Sequence, residues 1–340
     1  MDNSSYDKIT STLVTTVFDN STISTPPLFG SEQIVWMVIA IPTIITNSIL
    51  LGLIFFTNDL KKATNSFMAS MSAVGILWGA FYLLPRWSLI NFIRTDWLFC
   101  SLSPQIGIFL TIIINLHLCL ISIDKYIAII YPFEYIRWAS TLSISIAIVT
   151  VWILPLIVAL LPQMTFRQLN YKTCHVLNRQ DLTSEKNYLI AVFSILFFIP
   201  IACMVLAYGN IFIVANKQLK LDLDQDAGKN KQSIVMNIKA ARYLSIIVGV
   251  FVVTWLPYVS FFFSMFLQPR KELFTTFVTL RYIAFCYPMV NPVLYGYFHY
   301  DTRKGFLKCI GYRRADRIQP LPSGSVTNSR YASHGKVRWV

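Results

Sequence analysis

The chain has 340 residues, of which 55% are hydrophobic and 13% charged, and its mean hydropathy is +0.55. A soluble globular domain carries roughly 25% charge, so this composition excludes an ordinary soluble enzyme or binding module. The net charge of +13 falls between apolar blocks rather than on one basic face, which points to orientation in a membrane and away from nucleic acid.

A helix of about 20 apolar residues crosses the hydrocarbon layer of a bilayer. Seven such runs follow in order: 33–56, 66–90, 100–131, 142–161, 188–215, 240–267 and Phe274–Phe298. They lack the charged face at helical period that a soluble all-α core needs. The expectation is an all-α membrane protein, a seven-transmembrane helix bundle with a short amphipathic eighth helix at 299–310. Residues 1–32 form an extracellular tail with two glycosylation triplets, Asn3-Ser4-Ser5 and Asn20-Ser21-Thr22. Residues 311–340, basic and serine-rich, read as a disordered cytoplasmic tail. No apolar region follows basic residues at the N-terminus, so a cleaved signal peptide is not expected.

Loop charge sets the orientation. Lys61, Lys62, Lys125, Arg137, six basic residues between Lys217 and Arg242 and nine between Arg303 and Arg338 make 19 of the 29 Lys and Arg. All 19 fall on one side if the N-terminus is outside, which is the positive-inside pattern. The six cysteines, Cys100, Cys119, Cys174, Cys203, Cys286 and Cys309, contain no CxxC pair, so neither a structural zinc site nor any other metal or cofactor is expected.

Each span carries a marker. The first has Asn47, and Lys62-Ala63-Thr64-Asn65 follows it. The third opens at Cys100, with Asp124-Lys125-Tyr126 at its far end, then Pro132 and Phe133. The fourth has Trp152, and Cys174 lies in the loop beyond. The fifth has Pro200 and Tyr208. The sixth reads Phe251-Val252-Val253-Thr254-Trp255-Leu256-Pro257-Tyr258. The seventh ends Asn291-Pro292-Val293-Leu294-Tyr295. Each is weak alone. Together, and in this order, they resemble the rhodopsin-like G-protein-coupled receptors from about Gln33 to Ile310.

The resemblance implies a receptor in the plasma membrane, not an enzyme, with an extracellular ligand and a heterotrimeric G protein as its inner partner. Arrestin is a second candidate there. It implies a Cys100–Cys174 disulfide, which the oxidising outer side allows, with two unpaired cysteines as the alternative, and a lipid anchor at Cys309. Asp124, Lys125, Tyr126, Phe133, Tyr208, Trp255, Asn291, Pro292 and Tyr295 become the activation and G-protein set. The sixth helix, bent at Pro257, swings outward on activation. The ligand site falls between the third, fifth, sixth and seventh spans, at Gly107, Ile108, Thr111, Val192, Phe193, Trp255, Tyr258, Phe262 and Phe285. Arg86 and Arg281 join it from the second and seventh spans.

Three departures from the family pattern matter. Lys125 stands where arginine is usual, losing the planar guanidinium fork, and Asn237 stands where some members carry an acidic partner. A decoy receptor with weak coupling therefore stays open. Gly75 replaces a buried aspartate that helps bind sodium, with Ile114 and Tyr287 beside it, so no sodium dependence is expected. Gly107 stands where amine receptors place their aspartate, seven residues after Cys100, so a cationic amine has lost its counter-ion although the sixth span looks amine-receptor-like. The seventh span has no lysine for a retinal Schiff base. Arg86 and Arg281 either bind an anion on a largely apolar small molecule, or snorkel to headgroups, or pair with Asp96 or Glu185. A transporter is disfavoured, since there is no repeat and no midplane carboxylate. His117 is a lone histidine in a span and reads as packing rather than catalysis.

Overall fold

The computed structural model describes residues 30–57, 65–89, 97–166, 169–170, 175–176, 179–221, 228–267, 271–298 and 300–309. Seven helices among them are long and apolar enough to cross a membrane: Ser31–Phe56, Asn65–Ser88, Leu102–Ile130, Thr141–Thr165, Thr183–Val214, Arg242–Met265 and Phe274–Phe298. These are the first to seventh spans below, and they coincide with the seven apolar runs. The ends differ where a helix outlasts its apolar stretch. The fifth belongs to a helix that begins at Arg179, where polar residues up to Asn187 continue the helix ahead of the apolar run. The sixth belongs to a longer helix, Gly228–Leu267.

The bundle is apolar outside as well as inside. On the fourth span Ile146, Val149, Ile153 and Ile157 are all exposed and recur every three or four residues, so one helical face is an apolar stripe. Water would penalise such a surface; lipid does not.

Polar side chains tie the spans from within. Trp152 Nε1 donates to Ser70 Oγ at 2.9 Å, and Ser70 Oγ lies 2.8 Å from His117 Nε2. His117 Nδ1 is 3.0 Å from the Ile113 carbonyl, an obligate acceptor, so Nδ1 carries the proton and Ser70 donates to Nε2. His117 thus joins the second, third and fourth spans as a satisfied structural residue.

The second span changes pitch. From Trp78 to Ser88 it is π-helical, with Pro85 inside. Proline cannot donate, and its ring crowds the carbonyl one turn back; a wider turn relieves both. The fifth span has a shorter π-turn at Ser194–Phe198, just before Pro200.

Beyond the third span a short helix, Pro132–Trp138, starts with proline at its first position. The eighth helix is present at Tyr300–Cys309. Thr302 and Gly305 are buried while Arg303, Lys304 and Phe306 are exposed, as an interfacial helix requires. One departure from an all-α chain occurs among the described residues: Leu169–Asn170 pairs antiparallel with His175–Val176. Asn3, Asn20 and Cys174 lie outside the described residues, as do the side chains of Cys100 and Cys309.

Candidate functional site

The aromatic interior of the bundle is built around Trp255, which is 1% exposed. Its ring lies 5.7 Å from Trp78, 5.9 Å from Phe285 and from Phe251, and 6.0 Å from Tyr258. Edge and tilted contacts of this kind add to the burial of large rings. Phe193 and Phe262 form a second group, 6.2 Å apart, joined to the first through Phe277 at 6.4 Å from Phe262. Val192 and Thr111 are buried in the same interior, and Ile108 packs against it. The structure therefore gathers the apolar residues expected at the ligand site. It adds Trp78 and Tyr82, four residues apart on the inward face of the second span, which the sequence reading passed over. An aromatic pair at helical spacing was the available signal.

Gly107 is occupied space. A Cβ there would lie 2.6 Å from Tyr82 Cε2 and 2.8 Å from its hydroxyl. Tyr82 has filled the volume in which a larger third-span side chain would stand, so Gly107 forms part of the wall without offering a contact group.

The two arginines separate. Arg281 Nη2 lies 3.3 Å from Glu32 Oε1, and its guanidinium sits 4.3 Å from the Trp87 ring centroid and 5.4 Å from Trp36. The pairing with Asp96 or Glu185 anticipated from sequence gives way, for Arg281, to Glu32, two residues into the first span; Asp96 lies outside the described residues. Arg86 Nη1 donates to Ser103 Oγ at 2.8 Å, and its guanidinium lies 5.4 Å from the same Trp87 ring. Among the described residues Arg86 has no carboxylate partner.

Below Trp255 a small cavity is lined by Asn47, Met71, Gly75, Ile114, Tyr287, Pro288 and Asn291. None of these is a carboxylate. A Cβ on Gly75 would overlap the Asn47 amide, so Asn47 has taken the space beside it. Tyr287 donates to Asn291 Oδ1 at 3.3 Å.

Of the prolines within spans, Pro200, Pro257 and Pro292 sit in different surroundings. Each lacks an N–H, which leaves the carbonyl four residues back without its helical donor. For Pro200 that carbonyl is Leu196, and Asn115 Nδ2 on the third span donates to it at 2.9 Å and to Phe197 O at 3.1 Å. For Pro292 it is Pro288, and Asn47 Nδ2 on the first span donates at 2.8 Å. For Pro257 it is Val253, which is 72% exposed; no side chain of another span among the described residues bonds that carbonyl. The sequence marked all three positions, and Pro257 as a bend. That two are pinned across the bundle and one is not could be seen only in three dimensions.

At the inner end, Lys125 Nζ pairs with Asp124 at 2.8 Å and the Tyr135 hydroxyl donates to the other Asp124 oxygen at 2.9 Å. Tyr126 packs edge-on to Tyr131, 6.2 Å away, and Phe133 is 85% exposed. Tyr295 donates to Asn65 Oδ1 at 3.3 Å, while the Tyr208 hydroxyl is buried with no partner within hydrogen-bond distance among the described residues. Tyr243, entering the sixth span, stacks on Phe298 at 5.3 Å. The side chain of Asn237 is outside the described residues.

Known proteins resemble this chain along most of its length. It is 28% identical over 326 residues to the D(1A) dopamine receptor of Xenopus laevis, covering 82% of this chain and 71% of that receptor. It is 26% identical to trace amine-associated receptor 8c of Rattus norvegicus, over 84% of this chain and 88% of the relative. The octopamine receptor beta-2R of Chilo suppressalis is 26% identical, with 82% and 79% covered. Residues 46–295 match the family described as 7 transmembrane receptor (rhodopsin family). With seven apolar spans in the order that family requires, the chain belongs to the rhodopsin family of seven-transmembrane receptors, and is a receptor rather than an enzyme.

Proposed function

We propose that this receptor, a multi-pass protein of the plasma membrane, takes a small extracellular molecule into the aromatic outer half of its bundle. It passes the signal to a heterotrimeric G protein by outward motion of the sixth helix. The N-terminus is outside, with Asn3 and Asn20 as glycan acceptors and a Cys100–Cys174 bridge over the third span. Arrestin is a second inner partner. Signalling through a G protein follows from the family. The ligand, the motion and the orientation are this reading's own.

The observation that carries it is the unequal treatment of the prolines. With Asn115 and Asn47 pinning the fifth and seventh spans, the sixth is, of these three, the one free to pivot about its proline, Pro257. Its inner end is held by stacking of Tyr243 on Phe298. Trp255, two residues before Pro257 and buried in the bundle, is in contact with Trp78, Phe285 and Tyr258, so a ligand among those rings bears on the pivot.

The relatives are named for amines, but this chain lacks the third-span anion that would fix one. Gly107 is filled by Tyr82, and Glu32 and Glu185 are already engaged within the protein. The outer charge is instead positive, at Arg86 and Arg281, so the ligand is an apolar body with negative charge. A screen of amines against carboxylates, in cells reporting several second messengers, tests this. Responses to acids are expected. A saturating response to an amine, unaffected by substitution at Arg86, would replace this reading with an amine receptor.

A receptor that binds without coupling is favoured by one observation. Lys125 is turned onto Asp124 and is not the planar fork usual there. Ligand-dependent recruitment of a G protein separates the two.

A further inference from the structure

We infer that the ligand carries a single carboxylate, gripped between Arg86 and Arg281 across the face of Trp87. This rests on the reading of the outer pocket given above and names the chemistry that site takes.

The argument is one of charge and donors. Both guanidinium groups lie over one indole, at 5.4 Å for Arg86 and 4.3 Å for Arg281. Among the described residues two positive charges share this site with one carboxylate, Glu32. That carboxylate belongs to Arg281 and is 59% exposed, so water screens it. Arg86 has only the neutral Ser103 hydroxyl. One cationic charge inside the bundle is therefore uncompensated among the described residues. A cation held away from water costs free energy unless an anion meets it. The free hydrogen-bonding capacity has the same sign, since Arg281 Nε is buried without an acceptor.

A planar carboxylate satisfies what remains, because its two oxygens accept from two guanidinium forks at once. Trp87 holds the forks in place and supplies an apolar floor for the ligand's body. A cationic amine would add a third positive charge. A dicarboxylate would place its second charge among Tyr82, Trp78 and Phe285, where nothing cationic waits.

The test uses the full-length receptor in phosphatidylcholine nanodiscs, with 3-phenylpropionate, 3-phenylpropylamine and phenylsuccinate as probes. Thermal unfolding reads binding, and nucleotide exchange on added G protein reads signalling. The monoacid is expected to raise the unfolding midpoint, and the amine and diacid are expected not to. Arg86→Gln should weaken the monoacid by roughly tenfold or more. Glu32→Gln releases Arg281 and should strengthen it severalfold, a gain that misfolding cannot imitate. Stabilisation by the amine in place of the acid, no stabilisation by the acid, or an acid response indifferent to both variants would overturn the inference. So would loss of the acid's effect when phosphatidylserine replaces part of the lipid, since the arginines would then be headgroup sites. Acid binding without nucleotide exchange would leave the carboxylate site standing and remove the signalling reading instead.

Discussion

The side-chain amide of Asn115, fully buried on the third span, donates to the carbonyl of Leu196 on the fifth at 2.9 Å. That carbonyl is the one Pro200 leaves without a helical donor. Asn47 does the same for Pro288, one turn before Pro292. A membrane interior offers no water to take up a freed carbonyl, so a side chain of a neighbouring span is the replacement donor at these two sites. Where a neighbour does so, the kink is also a cross-link.

Replacing Asn115 by leucine keeps the branching and number of side-chain heavy atoms and removes both donated bonds. The receptor is expected to lose about 1–2 kcal/mol of stability, the scale of a polar contact between membrane helices. Chemical or thermal unfolding in a defined lipid measures it. A midpoint equal to wild type would mean that Leu196 and Phe197 find other donors and that the fifth span is not pinned this way.

Tyr243 and Phe298 stack with their planes 15° apart at the inner end of the sixth and seventh spans. Such a pair contributes about 0.5–1.5 kcal/mol beyond its burial. Tyr243→Ala should therefore raise ligand-independent nucleotide exchange by roughly two- to tenfold, because a closed-state contact is lost. Unchanged or lower exchange would argue that this contact does not hold the sixth helix in.

Installing an aspartate at position 107 should not by itself confer amine binding. Its Cβ would meet the Tyr82 ring at 2.6–2.8 Å, and an unpaired carboxylate would be buried there. Gly107→Asp should reduce surface expression, and Tyr82→Ala in the same chain should recover much of the loss. The two substitutions are in contact, so their effects should not add. Additive losses would show that Tyr82 can swing aside.

Exchange of sodium for choline should leave the unfolding curve unchanged. The cavity beside Gly75 offers amides, a thioether and a phenol but no carboxylate, and a hard cation needs charged oxygen. A sodium-specific rise in the midpoint would mean that Asn47, Asn291 and Tyr287 suffice.

Much of the fold was legible in the sequence because hydrocarbon is a demanding solvent. It requires long apolar helices, and only helices bond their backbone internally. The eighth helix was readable for the same reason, from its mixed faces after the last apolar run. Irregular pitch was not readable: proline announces a disturbance, while the choice between kink and π-turn depends on what the neighbouring span allows. Among site residues, Trp255, Phe285 and Tyr258 were found by motif and position. Trp78 and Tyr82 were missed although their four-residue spacing was a local signal, while the Arg281–Glu32 pair joins distant parts of the chain and no local spacing encodes it.

The sequence alone determined that the chain crosses the membrane seven times as helices, since composition and run length decide that without reference to any contact. It also determined which residues were available: Pro200, Pro257 and Pro292 within spans, Arg86 and Arg281 near span ends, and glycine at positions 75 and 107. Only the tertiary structure decided how they are used. It put Tyr82 against Gly107, gave Glu32 to Arg281 but no carboxylate to Arg86, and placed an asparagine opposite two of the prolines but not the third. The reason is physical: in lipid every polar group must find its partner inside the protein, and partners are assigned by packing across the bundle, not by order along the chain.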